Sequence, residues 1–137
     1  MESVEVLDLL SGSISLVNGV TTPHKRWGGT CFTMPGPHIM ITGGMDQLFL
    51  PHANTDLLNT VTQDWTKGPS FPHPIAGGEG AILGRSPTIF GGFSGLGLSK
   101  EVVTFDENIW EAWTEKLESS RISGLAVSVP DDLFAQC

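Results

Sequence analysis

Positive charge, cysteine and long apolar runs are all scarce in this sequence, and each shortage closes off a class of function. Seven Lys and Arg stand against 15 Asp and Glu, for a formal net charge of −8. No basic cluster is longer than the pair Lys25-Arg26. The counterion-releasing contacts on which nucleic-acid affinity rests therefore have no footprint, and an anionic membrane surface would repel the chain. Eight of the acids fall between Glu101 and Asp132, which reads as a solvated face, the alternative being a docking surface for a basic partner. No apolar run approaches the roughly 18 residues that a membrane-spanning helix needs. The N-terminal Met1-Glu2-Ser3-Val4-Glu5 is acidic where a secretory signal would be basic, and no Asn-x-Ser/Thr acceptor occurs. The two cysteines, Cys31 and Cys137, are separated by most of the chain; no disulfide follows from them, and reduced thiols in a cytoplasmic protein are the simpler account.

What the sequence does contain is punctuation. Seventeen Gly and nine Pro interrupt 137 residues too often for long helices, and the short runs between them carry Val, Ile, Thr, Phe and Trp, the composition of an all-β domain. Two of these stretches repeat. Ile39-Met40-Ile41-Thr42-Gly43-Gly44, Asp56-Leu57-Leu58-Asn59-Thr60-Val61 and Trp65 are followed by Pro87-Thr88-Ile89-Phe90-Gly91-Gly92, Glu101-Val102-Val103-Thr104-Phe105-Asp106 and Trp113. Gly43 to Gly91 and Trp65 to Trp113 are both 48 residues, and a basic residue recurs at Arg26, His73 and Arg121 in steps of 47 and 48. A period near 50 points to a repeat architecture.

The pattern resembles kelch repeats. That family's blade opens Arg-x-x-Gly/Ala, matched by Arg26-Trp27-Gly28-Gly29, by His73-Pro74-Ile75-Ala76 with His for Arg, and by Arg121-Ile122-Ser123-Gly124. Its Gly-Gly doublet closes strand b, and a Trp opens strand d. The resemblance implies four-stranded antiparallel blades of a β-propeller, incomplete in one chain: a partial blade over 3–22, blades over 26–68 and 73–117, and a partial blade over 121–137. Absence of tyrosine departs from the family's habit near strand c.

Within such blades, residues 3–8 alternate like strand c, Asn18-Gly19 signals a hairpin turn, and Leu125–Val129 reads as strand a of a last blade, with Leu133–Cys137 as the start of strand b. Glu107–Ser120 carries Ile109, Trp110, Trp113 and Leu117 at helical spacing behind Asp106 as a cap. Its aligned partner is broken by Gly68-Pro69, so a turn and a strand are expected in both places. The doublets let backbones approach, Trp65 and Trp113 are expected to fill the space between blades, and Arg26 and Arg121 to bond carbonyls at blade junctions.

No catalytic constellation is visible, and the chain reads as a binding protein, not an enzyme. The four histidines, His24, His38, His52 and His73, lack the close pairs of a metal site, and the glycine runs at 78–84 and 91–97 fit neither a dinucleotide fingerprint nor a P-loop. No cofactor or metal is expected. The kelch-related copper oxidases need a tyrosine that this chain lacks. Kelch propellers bind a protein or peptide through loops at one mouth, and the resemblance implies contacts from Met45, Asp46, Phe49 and His52 after the first doublet, Phe93 and Ser94 after the second, and Arg26 and Arg121. It implies a scaffold that recruits substrates or binds the cytoskeleton; the alternatives are an inactive fragment of a larger kelch protein or a propeller-type enzyme acting on carbohydrates or other small molecules. Just under three blades cannot close a ring, so a homodimer closing a six-bladed propeller is a further expectation, with blades supplied by a longer parent chain as its rival.

Overall fold

Short stretches rich in β-branched, aromatic and other apolar residues, separated by turn residues, give strands, and the computed structural model, which describes residues 3–129, has ten strands and no helix among them. β1 (Ser3–Leu7) and β2 (Ile14–Thr21) pair as a two-stranded sheet. β3 (Thr30–Met34), β4 (His38–Thr42), β5 (Thr55–Asn59) and β6 (Trp65–Lys67) form a four-stranded antiparallel meander. β7 (Glu79–Leu83), β8 (Ser86–Phe90), β9 (Val102–Asp106) and β10 (Ile109–Ala112) form a second. The two meanders fall inside the spans 26–68 and 73–117. No helix of the described residues is long and apolar enough to cross a membrane.

The leading strands of the two meanders meet side by side. Thr30 Oγ1 donates to Gly78 O at 2.9 Å, and a Cβ at Gly80 would lie 2.4 Å from Thr30 Cγ2, so β7 can sit against β3 only without a side chain there. Between the meanders lies the core: Phe32, Met40, Ile89, Val103 and Trp110 from strands of both, and Phe71 and Ile75 from the link between them. The Trp110 ring stands 5.1 Å from both Phe71 and Phe105, and its indole N–H donates to Thr55 Oγ1 of the neighbouring sheet at 3.3 Å. That bond satisfies the polar handle of a buried tryptophan.

Strand pairing revises the alignment by spacing. Thr42 pairs with Thr55 and Phe90 with Val102; three residues further on, Leu58 pairs with Trp65 and Phe105 with Trp110. The counterpart of Trp65 is therefore Trp110, not Trp113, whose amide bonds Val102 O as that of Gly68 bonds Thr55 O. The cause is loop length. Five residues join β5 to β6, whereas only Glu107 and Asn108, at φ 44° and 75°, join β9 to β10, the two-residue turn with both central residues left-handed that suits a twisted hairpin. Trp113 follows β10 and is 45% exposed, so the interior tryptophan of this repeat is Trp110.

The recurring basic position also moves. Trp27 exchanges backbone hydrogen bonds with Met45 and Ala76 exchanges them with Phe93, which makes Ile75 the counterpart of Arg26 and leaves His73 two residues ahead, level with His24. Ile75 is buried at 2%. Asn18-Gly19 does not turn the chain: it lies inside β2, where the register against β1 shifts, and Gly19 at φ 81° absorbs the irregularity as a bulge glycine does. The reversal comes earlier, where Leu10 and Ser11 amides donate to Asp8 Oδ1; these bonds, the one from Leu10 foremost, hold the Asp8 carboxyl below its usual range. Leu125–Val129 forms no strand, having no paired neighbour among the described residues, and Leu133–Cys137 lies outside them.

Replacing Trp110 by Ala is expected to cost about 3–5 kcal/mol, the range for emptying a large core site, while Trp113→Ala loses an exposed ring and its 2.8 Å bond to Thr104 Oγ1, about 1 kcal/mol. Urea midpoints at constant m-value measure both. Equal losses would restore the alignment by spacing.

Candidate functional site

The segments that follow the two glycine doublets lie next to one another. Isolated antiparallel bridges run Trp27 to Met45, Met45 to Pro51, His52 to Ile75, Ala76 to Phe93 and Phe93 to Leu98, a belt of short pairings that spans both four-stranded sheets. A Cβ at Gly95 would touch Pro51 at 3.4 Å, so the two loops are in contact. One end of the domain thus carries a continuous loop surface on rigid sheet support.

The first loop is built around Asp46. Its Oδ1 accepts from the Leu48 amide at 2.8 Å and the Leu50 amide at 3.0 Å, the side-chain turn that Asp makes with backbone two residues on. Asp46 N–H donates to Leu50 O and Phe49 N–H to Asp46 O. The Trp27 indole N–H donates to Asp46 O, and its ring meets Phe49 edge to face at 5.5 Å. Phe49 sits at φ 61°, a region that bulky residues rarely enter. The loop is fixed, yet Trp27, Leu48, Phe49 and Leu50 are 52%, 75%, 67% and 57% exposed.

Beyond it, the second loop borders an open cleft of about 590 Å³, lined by His73, Ser94, Leu98, Glu101 and Lys116 among others. His73 Nε2 lies 3.3 Å from Glu101 Oε2, and Lys116 Nζ 3.9 Å from Glu101 Oε1. The counterpart His24 contacts Asp56 at 3.0 Å and Asn54 at 3.1 Å. Among the described residues no three His, Cys, Asp or Glu gather closely enough to hold a metal ion.

The expected contact residues divide. Asp46 and Phe49 form the loop, and Ser94 lines the cleft with its hydroxyl on Gly97 O. Met45 is buried at 7% and holds the belt through its backbone; His52 and Phe93 are half-buried members of the same belt. Arg26 is spent internally, on Asp56, Gly43 O and Asn54 O, all within its own repeat and not across a junction. Arg121 is exposed, and its carbonyl accepts from Gly92 N–H. Trp27 is absent from the residues expected by sequence to make contact because it is only a spacer in the repeat opening; the bridge to Met45 that brings it to the loop is a long-range pairing with no local sequence signal. Leu48 and Leu50 are exposed, and so, fully, is Leu96 in the second loop.

No family model matches the sequence, and no curated protein matches it. Among solved structures, 117 chains match. One of them, titled "Structure of YjhT", has a TM-score of 0.75 at 17% identity, over 92% of this chain and 42% of that one. The chain thus spans less than half the length of that protein, and a likeness at this identity establishes the fold alone.

Asp46→Ala is expected to free the first loop: amide exchange at Leu48 and Leu50 should quicken at least about tenfold, the equivalent of one lost hydrogen bond to a charged group. Unchanged exchange would mean that the carboxylate does not hold the loop.

Proposed function

We propose that the two four-stranded sheets are kelch-type propeller blades and that the chain is a protein- or peptide-binding module of the cytoplasm, with no chemistry of its own. The observation that carries this reading is the quartet Trp27, Leu48, Phe49 and Leu50, large apolar side chains held outward by a loop whose backbone is hydrogen-bonded and, at Phe49, strained. Apolar side chains grouped on a surface mark contact sites, backbone strain of about 1–3 kcal/mol persists where the surroundings impose it and clusters at such sites, and a rigid aromatic anchor spends little entropy on binding. A partner would place an apolar side chain against Trp27 and Phe49 and run along the belt toward the cleft. Exposed Cys31 suits a reducing compartment.

The cleft with its His73–Glu101 pair favours a second reading, a small-molecule site in which a carboxylate orients an imidazole for proton transfer. The two separate experimentally. Random peptides displayed on phage and selected on the folded chain should lose binding to Phe49→Ser/Leu48→Ser while the circular dichroism spectrum stays unchanged, and His73→Ala should bind as the parent does. Binding abolished by His73→Ala and indifferent to the Phe49 change would move the site to the cleft.

A further inference from the structure

Trp27 and Phe49 are tied to one oxygen. Asp46 O accepts from the Trp27 indole N–H and from the Phe49 amide, both at 3.2 Å, so a single carbonyl positions the two residues. Their ring planes cross at 82° with centroids 5.5 Å apart, which makes a right-angled corner. Both residues are more than half exposed, and a ring so exposed cannot have both faces covered. Aromatic faces are the negative side of the ring quadrupole, and a cation within about 6 Å of a ring centroid is drawn to them. An uncharged side chain gains nothing from that field.

A carboxylate stands at the same place. Asp46 spends Oδ1 on the Leu48 and Leu50 amides, while its Oδ2 takes no hydrogen bond among the described residues. The guanidinium of Arg26, next to Trp27 in the chain, is turned to Asp56, Gly43 O and Asn54 O instead. The net charge of −8 adds a longer-range field that favours the approach of a cation. Ring faces, carboxylate and field thus select one sign of charge. The exposed Leu48 and Leu50 on either side of Phe49 select its kind. A bare ammonium is strongly hydrated and would lose water against these leucines without replacement, whereas methylation covers an ammonium with apolar surface and keeps its charge.

We propose that the corner of Trp27 and Phe49 binds the trimethylated ammonium of a lysine side chain on a peptide partner. The aliphatic stem of that side chain lies on Leu48 and Leu50, as the stems of long cationic side chains cover apolar surface, and the head faces Asp46. This rests on the reading of the loop as the contact surface of a peptide-binding module, and it adds the chemistry that the partner must carry. The source is a lysine and not a free or lipid-borne amine because a side chain on an extended peptide can use both the corner and the belt of bridges that continues from Trp27 to Leu98.

Nuclear magnetic resonance titration of the Trp27 indole N–H, assigned through Trp27→Leu, reads the site directly. The probes are capped trimethyllysine, capped lysine and a capped residue with a neutral tert-butyl head, which keeps the shape and removes the charge. Trimethyllysine should bind about five- to thirtyfold more tightly than the neutral residue, the worth of two exposed cation–π contacts, and more tightly than lysine. Phe49→Leu keeps an apolar side chain without a π face, and Asp46→Asn keeps an acceptor for the two amides without the charge; each should narrow that ratio. On the unaltered chain, equal affinity for the trimethyl and neutral heads, lysine binding first, or no saturable shift with any probe would overturn the proposal. Choline bound more tightly than capped trimethyllysine, or sedimentation with phosphatidylcholine vesicles, would assign the corner to a free or lipid-borne amine and overturn the peptide source. Selected peptides that need Phe49, beside equal affinity for the two heads, would overturn this proposal alone. A preference for the trimethyl head with no peptide selected would leave the cation corner standing and overturn the peptide-binding reading.

Discussion

Gly44 N–H donates to Ile75 O and Gly92 N–H to Arg121 O, both at 2.8 Å, and these two bonds fasten each four-stranded sheet to the opening of the next repeat. They exist because the preceding residue of each doublet has no side chain: a Cβ at Gly43 would lie 2.4 Å from Ile75 O, and one at Gly91 2.6 Å from Arg121 O. Contacts that close occur for no real Cβ, and the obstruction is backbone, which cannot swing aside. The remaining packing depends on this constraint. With its carbonyl fixed, Ile75 drops into the core beside Phe71 and Ile89, β7 is laid against β3, and the loops after the doublets are drawn into one belt.

The same constraint keeps the loop surface stiff. Met45 and Phe93 follow directly on the doublets, and each is held by the repeat opening, through Trp27 and Ala76 respectively. The loop beyond Met45 starts from a fixed base, so Asp46 can close its turn and hold Phe49 at φ 61°. Strain on an isolated loop would relax; here the belt on one side and the Trp27 contact on the other leave it nowhere to go. The fold is shared by many chains and does not by itself name a partner, so the proposed function rests on these four exposed side chains and on nothing more general.

Much of the fold is legible in residue types and little of it in exact spacing. β-type runs, breaker residues and the doublets place β1, β4, β5, β6, β8 and β9 close to where they lie, because alternation and glycine requirements are local. Spacing alone makes Trp113 the interior tryptophan, whereas the five-residue loop of one repeat is a two-residue turn in the next, which brings the paired residue forward to Trp110. Spacing aligns His73 with Arg26 for a similar reason, although the position is filled by Ile75, an apolar residue that no search for basic recurrence would find. Asn18-Gly19 has the chemistry of a turn and is used as a bulge, since Asp8 already reverses the chain. At the site, Phe49 is legible as an apolar residue in a loop; burial of Met45 is not, since it depends on bridges to Trp27 and Pro51.

The central claim is that the first glycine of each doublet is required by the backbone of the following repeat over and above its own left-handed conformation. Gly84 and Gly91 separate the two, with φ of 63° and 67°, but a Cβ at Gly84 would meet nothing within 4 Å. Both Ala substitutions carry the left-handed penalty of about 1–2 kcal/mol. Measured by urea denaturation, Gly91→Ala should lose at least about 2 kcal/mol beyond Gly84→Ala, the scale of an overpacking that must move backbone. Equal losses at the two positions would contradict the account and leave the doublets as conformational devices only.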